Sequence, residues 1–343
     1  MSDVGLSVDG RNGRRLARAA LLVAVALGCV LTGCKGGATR ARERSTERSQ
    51  TSDAYASQAR DLRTEGREDE ALALLSRAIE LNPTLTVAHL EMADIYEERG
   101  DYDLAERSYA TAAGQEPANF SAQFGHGRVL HLLNRISEAV RAYLRALAIR
   151  PDDYDANLAL ATAYIQIDGP SQALPYALRA TQLNPASGPA HANLGSVYSA
   201  LGRHREAVEE YRAAAELMDL TPNLLLNLAD SLGKLQRYEE MINTLDTANR
   251  LEPTAAAHER TGFAYFKLRR YEEAKSAFAQ AIAQDATYFP ALNGLGVCRL
   301  NEYLLSNKSD VAAHDSAMQY FRQSLRINGR QPRIVDLLAR YER

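Results

Sequence analysis

The sequence predicts an all-α chain, a solenoid of about eight helix-turn-helix repeats closed by a capping helix, and three observations carry that expectation. Prolines recur at Pro83, Pro117, Pro151 and Pro185, each 34 residues after the last, a period that marks a repeat architecture. Ahead of them, at fixed offsets, stand the trios Ala71, Leu75, Ala78; Ala105, Tyr109, Ala112; Ala139, Tyr143, Ala146; and Ala173, Ala177, Ala180, continued by Ala207, Tyr211, Ala214 and Ala274, Phe278, Ala281. Small residues at such places let two helices approach closely while the larger residue between them fills the gap. The tail from Gln331 to Arg343 carries Ile334, Leu337, Leu338 and Tyr341 at helical spacing with Arg and Asp between them, the pattern of a helix that covers a last apolar face and shows water a polar one. Composition narrows the function classes: 40 Lys and Arg against 43 Asp and Glu give a net charge of -3, so no general positive field attracts nucleic acid or anionic lipid. Three cysteines (Cys29, Cys34, Cys298) make no disulfide framework, so stability must come from packing.

Taken in chain order, residues 1–33 read as an export signal. Arg11, Arg14, Arg15 and Arg18 precede an apolar run from Ala19 to Gly33, about the length of a signal-peptide core and short for a membrane span. The run ends Leu31-Thr32-Gly33-Cys34, which resembles the lipobox of bacterial lipoproteins. That resemblance implies that Cys34 receives diacylglycerol on its sulfur and becomes the first residue of the mature protein. Ala26-Leu27-Gly28-Cys29 is a poorer copy, with Ala where the branched aliphatic residue usually sits. Arg14-Arg15 raises a twin-arginine route, but no other part of that signal follows and the general secretory route is favoured. The alternative is an uncleaved anchor helix; both readings place the bulk of the chain outside the cytosol. A multiply acylated Cys34 would hold stably to a membrane without any spanning helix, and Lys35 rather than Asp after it points to the outer membrane where the cell has one. Residues 34–51 continue as the lipidated Cys and a flexible tether, since 35–51 alternate Arg, Glu, Ser and Thr with almost nothing large and apolar.

Residues 52–329 hold the repeats, whose starts fall near Ser52, Thr86, Phe120, Tyr154, Gly188, Pro222, Ala255 and Phe289. In the first helix of each, a small residue recurs (Ala59, Ala93, Gly127, Ala161, Gly195, Ala229, Gly262, Gly296), with Leu62, Tyr96, Leu130, Tyr164, Tyr198, Leu232 and Tyr265 one turn on. These residues resemble the tetratricopeptide repeat family, whose unit is a 34-residue antiparallel helix pair, over about four fifths of the chain. The resemblance implies a right-handed superhelix whose stability sums intrinsic and neighbour terms. Irregularities are expected where the pattern breaks. Pro175 inside a second helix should bend it or delay its start. Asp219 replaces a turn proline, Met241 replaces an Ala, and the sixth repeat is one residue short. The eighth carries about nine extra residues between Cys298 and Ala317, including Ser306 to Asp310, which should make a longer exposed loop. Residues 330–343 form the capping helix.

In this family the first helices line a concave face that takes extended peptides or helices of other proteins. Mapped onto it, the first repeat shows Arg60 and Arg63; the second Leu90, Glu91, Asp94, Glu97 and Glu98; the third Phe124, Arg128 and His131. The middle is neutral, with Leu158, Thr162, Asn193, Ser196, Leu226, Asn227 and Asp230, and the seventh turns basic and aromatic with Arg260, Phe263, Phe266 and Lys267. Aromatic side chains beside Arg and Lys can hold a peptide by burial and cation–π contact while pairing its acidic groups; the alternative is that Phe263 and Phe266 pack against the eighth repeat. The acidic set of the second repeat is expected as a solvated face. Asn227 and Arg260 match positions of the clamp by which some family members hold carboxylates, but Ala192, Ser196 and Ala256 stand where its other residues belong. Asn193 and Asn227 are two rungs resembling the asparagine ladder of O-linked N-acetylglucosamine transferases.

Catalysis, cofactors and metals find no motif. The seven histidines are scattered, no Gly-rich phosphate loop or nucleophile elbow is present, and Cys298 among apolar neighbours is expected to be a buried, inert thiol. The expectation is a non-enzymatic scaffold of the bacterial envelope with other proteins as partners, the membrane engaged through lipid on Cys34 and no nucleic acid. The rival is an accessory subunit for exopolysaccharide export or glycan binding, for which the aromatics are few and unevenly spaced.

Overall fold

A computed structural model describes residues 42–341. The signal peptide, the lipobox with Cys34 and the start of the tether lie outside the described residues. Among those described, every regular element is a helix. The first, α1, runs over 42–64. This corrects the tether expectation: residues 42–51 are helical and continuous with the first repeat. Their Arg, Glu and Ser side chains are mostly exposed, so composition read correctly as solvated but not as irregular.

The chain divides into two compact units, split between Val129 and Leu130. The N-terminal one contains α1, α2 (Glu68–Leu81), α3 (Thr86–Arg99), α4 (Tyr102–Gln115) and most of α5 (Phe120–Leu132). The C-terminal one begins at the end of α5 and continues with α6 (Ile136–Ile149), α7 (Tyr154–Gln166), α8 (Pro170–Leu183), α9 (Gly188–Ala200), α10 (His204–Leu217), α11 (Pro222–Lys234) and α12 (Tyr238–Leu251). It ends with α13 (Ala255–Lys267), α14 (Tyr271–Gln284), α15 (Phe289–Leu305), α16 (Val311–Ile327) and α17 (Pro332–Tyr341). Odd-numbered helices to α15 are the first helices of the repeats. In the C-terminal unit each odd helix packs on its even partner, and α7, α9, α11, α13 and α15 also pack on one another in sequence, which makes one face of first helices.

Local chemistry sets the helix ends. Asp153, Ser187, Thr221 and Thr254 precede α7, α9, α11 and α13, and each side chain accepts from the amide three residues on, satisfying one of the donors that a helix start leaves open. The turn inside each of the first seven repeats places one residue in the left-handed region: Gly66, Gly100, Asn134, Asp168, Gly202, Gln236 and Arg269. Only three of these are glycine, although the conformation favours it.

The trios form the core. Ala105, Ala112, Ala139, Ala146, Ala207 and Ala214 are fully buried, with Tyr109, Tyr143 and Tyr211 filling the space between helices. The fit is tight enough that an added Cβ on Gly195 would come within 2.8 Å of the Tyr211 ring, and one on Gly296 within 2.5 Å of Phe321. Met241 is buried where Ala was the rule, and Gly233 faces its sulfur, leaving the room it needs. Cys298 is fully buried, and burial pushes its thiol up to about 12.

Pro175 does not delay the start of its helix, and the eighth repeat's extra residues do not form a long loop. Helix α8 starts at Pro170 and runs through Pro175. Proline there removes the hydrogen bond to the carbonyl four residues back, and both Pro175 and Ser171 are exposed, so the lost bond falls on the solvent side of the helix. The extra residues of the eighth repeat lengthen its helices: α15 and α16 have 17 residues each, and only 306–310 remain as a turn. The added turns are held by Leu300 in the core, by Arg299 on Glu302 at 2.9 Å, by Tyr303 against the His314 ring at 4.9 Å and by the Asp310 cap on α16. Ile334 and Leu338 of α17 are buried on Leu300, Met318 and Phe321, as the capping pattern predicts. No described helix is long and apolar enough to cross a membrane.

Candidate functional site

Helix α13 brings Arg260, Phe263, Phe266 and Lys267 to the first-helix face, and their surroundings separate them. Arg260 is held by Asp230 of α11, Nε to Oδ1 at 2.6 Å and Nη2 to Oδ2 at 3.0 Å. This pairing is bidentate, the stronger geometry for Arg and carboxylate, and it raises the guanidinium pKa further. Arg260 is thus neutralised within the fold, which removes the expected cation for an acidic peptide. Phe266 is half-buried among Ala274, Phe278, Ala281 and Leu295 and meets Tyr271 edge-on at 5.5 Å. It packs against the core on its buried side, as the packed alternative expected. Phe263 remains 39% exposed, edge-on to Tyr238 at 6.3 Å, with the Lys267 Nζ over its ring at 5.3 Å.

Between α13 and α15 lies an open cleft of about 370 Å³ in which Phe263, Phe266, Phe278 and Val297 supply the apolar walls and Glu259, Lys267 and Asn293 the polar ones. An adjoining cleft of about 600 Å³ shares Glu259, Phe263 and Pro290 and reaches Asp230, Lys234 and His204. Sequence reasoning passed over Glu259. It accepts no hydrogen bond or ion pair from a described residue, and burial pushes its carboxyl above the usual range, with Asp230 adding to the rise and Arg260 opposing it. The available signal was its place one turn before Phe263 in α13. Asn293 and Val297 could have been found as the same pattern one repeat on; Asn293 is oriented by donating to Gln331 Oε1 at 2.7 Å.

The asparagine rungs differ from each other. Asn193 donates to Thr162 Oγ1 at 2.8 Å, spending its amide on the neighbouring repeat, while Asn227 is exposed. Arg128 lies in the N-terminal unit, separate from the α13 group. It pairs with Glu97 at 2.6 Å and sits over the Phe124 ring at 5.9 Å, and Phe124 stacks on Phe120 at 5.6 Å. The acidic set of the second repeat is not a bare solvated face. Arg60 and Arg63 of α1 bind Glu91 at 2.9 and 3.2 Å, Arg63 also reaches Glu98 at 2.5 Å, and the Tyr109 hydroxyl donates to Asp94 and Glu97. Burial raises the Asp94 carboxyl even so. Charges that look like blocks along the sequence are neutralised by partners about thirty residues away.

The tetratricopeptide repeat family profile matches residues 90–154, 158–223 and 226–289, more than half of the chain. No curated protein matches the sequence. Among solved structures the chain is similar to one in the Cut9–Hcn1 hetero-tetramer of the APC/C, at 20% identity over 79% of this chain and 52% of that one, TM-score 0.55; it thus spans about half the length of that protein. It is also similar to a tetratricopeptide repeat protein from Parabacteroides merdae, at 17% identity over 73% of this chain and 99% of that one, TM-score 0.51. Pseudomonas aeruginosa pilF is similar at 20% identity over 60% of this chain and 94% of that one, TM-score 0.50. At these identities the likeness is one of fold.

Proposed function

The chain belongs to the tetratricopeptide repeat family, and on that premise we propose that it is a non-enzymatic scaffold, tethered to the bacterial envelope through lipid on Cys34, that binds peptide or helix segments of partner proteins on its first-helix face. Members of the family mediate protein–protein interactions. The observation that carries the reading is the cleft between α13 and α15, where Phe263 stays open beside Lys267 while nearly every other large side chain of α13 is packed or paired. A partly open aromatic ring beside a cation in a concave apolar site is what binding hot spots are made of. The envelope half rests on the lipobox pattern at Cys34 alone, and assembly of a secretion, pilus or cell-wall complex is the role we assign by that resemblance. No observation favours the glycan reading, since Phe124 and Phe266 are engaged by Phe120 and Tyr271.

The test is a crosslinking pull-down from native membranes with wild-type protein, Phe263→Ala/Lys267→Ala and Arg260→Ala. A protein partner retained by wild type and Arg260→Ala but lost by the double variant, at unchanged helical content, supports the reading; equal recovery from all three overturns the site. Fractionation of Cys34→Ala cells tests the anchor: a variant that stays with the membrane as wild type does removes the lipid tether.

A further inference from the structure

We infer that the α13–α15 cleft takes an extended segment that sets a basic residue, a large apolar residue and an acidic residue in that spatial order along α13. This deepens the peptide-binding reading above and rests on it. Glu259, Phe263 and Lys267 follow one another at single-turn intervals and line the same cleft. Neither Glu259 nor Lys267 has an ion-pair partner among the described residues, in contrast to Arg260, Asp230 and the charges of the second repeat. Eight residues of helix separate the two by about 12 Å, too far for them to satisfy each other. An unpaired, half-buried carboxylate is a destabilising element that a cationic ligand group would relieve.

The geometry also sets the spacing. At roughly 3.3 Å per residue, a 12 Å span corresponds to three or four residues of extended chain. The occupant therefore carries its basic and acidic groups three or four positions apart, with the apolar side chain between them entering the space walled by Phe266, Phe278 and Val297. A ligand with acidic groups at both ends would place a carboxylate on Glu259 and be rejected by like-charge repulsion.

The experiment is selection of a random-heptapeptide phage library on the full-length chain, on Glu259→Lys and on Phe263→Ala, with Glu259→Gln and helical content as folding controls. Expected from wild type are sequences with a basic residue and an acidic residue three or four positions apart around an apolar one. A fluorescein-labelled peptide of the most enriched sequence should bind Glu259→Lys at least tenfold more weakly, and replacing its basic residue by Glu should restore binding to that variant. Enriched peptides without this charge order, or an order that Glu259→Lys does not change, overturn the inference while leaving the groove as a peptide site if Phe263→Ala loses them. Peptides that bind Phe263→Ala as well as wild type, or no enrichment at all, overturn the peptide-binding reading together with the inference.

Discussion

The Phe278 ring packs against two glycines, Gly262 of the seventh repeat and Gly294 of the eighth, and Gly294→Ala tests whether that contact holds the two repeats in register. An added Cβ on Gly294 would stand 2.4 Å from Phe278 Cε1 and 2.5 Å from Cζ, and a Cβ on Gly262 would stand 2.8 Å from Cδ1 and Cε1 of the same ring. Both glycines meet the Cδ1 and Cε1 atoms of this ring, so a methyl on either needs space that the ring already fills. In an exposed helix interior Gly→Ala stabilises by about 1 kcal/mol through backbone entropy, whereas forcing a methyl into a filled core costs roughly 1–3 kcal/mol. For Gly294→Ala the net is a destabilisation of up to about 2 kcal/mol, and for Gly262→Ala a smaller one, because its gap is wider. Phe278→Leu alone removes ring volume at about 1 kcal/mol, but combined with Gly294→Ala it should recover most of the loss, giving a favourable coupling energy in a double-mutant cycle. Amide hydrogen exchange of α13 to α15 is the assay, because a stack of repeats need not open as one cooperative unit. Faster exchange confined to these helices is expected. Gly294→Ala that slows exchange there, with Phe278 intact, would show that the ring has room and refute the argument. Since Gly294 and Phe278 also line the cleft, a displaced ring should weaken peptide binding in the same variant.

Other consequences follow from individual contacts. Arg260→Ala should cost only about 1 kcal/mol or less in urea unfolding, since the pair with Asp230 is half exposed; a loss of several kcal/mol would mean that it holds α11 and α13 together. Cys298, with its thiol pushed up to about 12 by burial, should resist a disulfide reagent at pH 8 in the native protein and react at once in urea. His314 has an acceptor at each ring nitrogen, Asp315 Oδ1 at 3.0 Å and the Tyr341 carbonyl at 2.7 Å. The hydrogen bond to Tyr341 raises its pKa, with Asp315 adding and Arg322 opposing. The part of its hold on α17 that comes from the charged ring is therefore complete below about pH 6.5 and is lost as pH rises through the raised value; exchange of the α17 amides corrected for intrinsic rate should show less protection at pH 8.5 than at pH 5.5, and His314→Gln should abolish the difference. Gln236 sits at φ 59°, so Gln236→Gly should stabilise the α11–α12 turn by about 0.5–1 kcal/mol, measured as a shift of the urea midpoint.

The repeats were legible in the sequence because what defines them is local and steric. A 34-residue period with Ala, Tyr and Ala at fixed offsets is a direct imprint of two helices in contact, and Thr86, Phe120, Tyr154, Gly188, Pro222, Ala255 and Phe289 each open a helix where that period puts them. The capping role of Ile334 and Leu338 and the burial of Cys298 could be read in the same way, from apolar spacing along one helix. The residues of the candidate site were only half legible. Arg260, Phe263, Phe266 and Lys267 look alike in sequence as an aromatic and basic face, but one is neutralised by Asp230, 30 residues earlier, one is drawn into the core, and two remain open. Glu259 escaped notice because a single carboxylate on a helix is ordinary until the structure shows it without a partner. The fate of the eighth repeat's extra residues was equally hidden, since Asn, Ser and Asp favour a loop while Leu300 and Tyr303 find partners that extend the helices. Sequence by itself determined which residues make helices and which faces of them meet, because those depend on side-chain size at short range. Tertiary structure alone decided which charges and rings stay available, because that depends on distances between side chains a whole repeat apart.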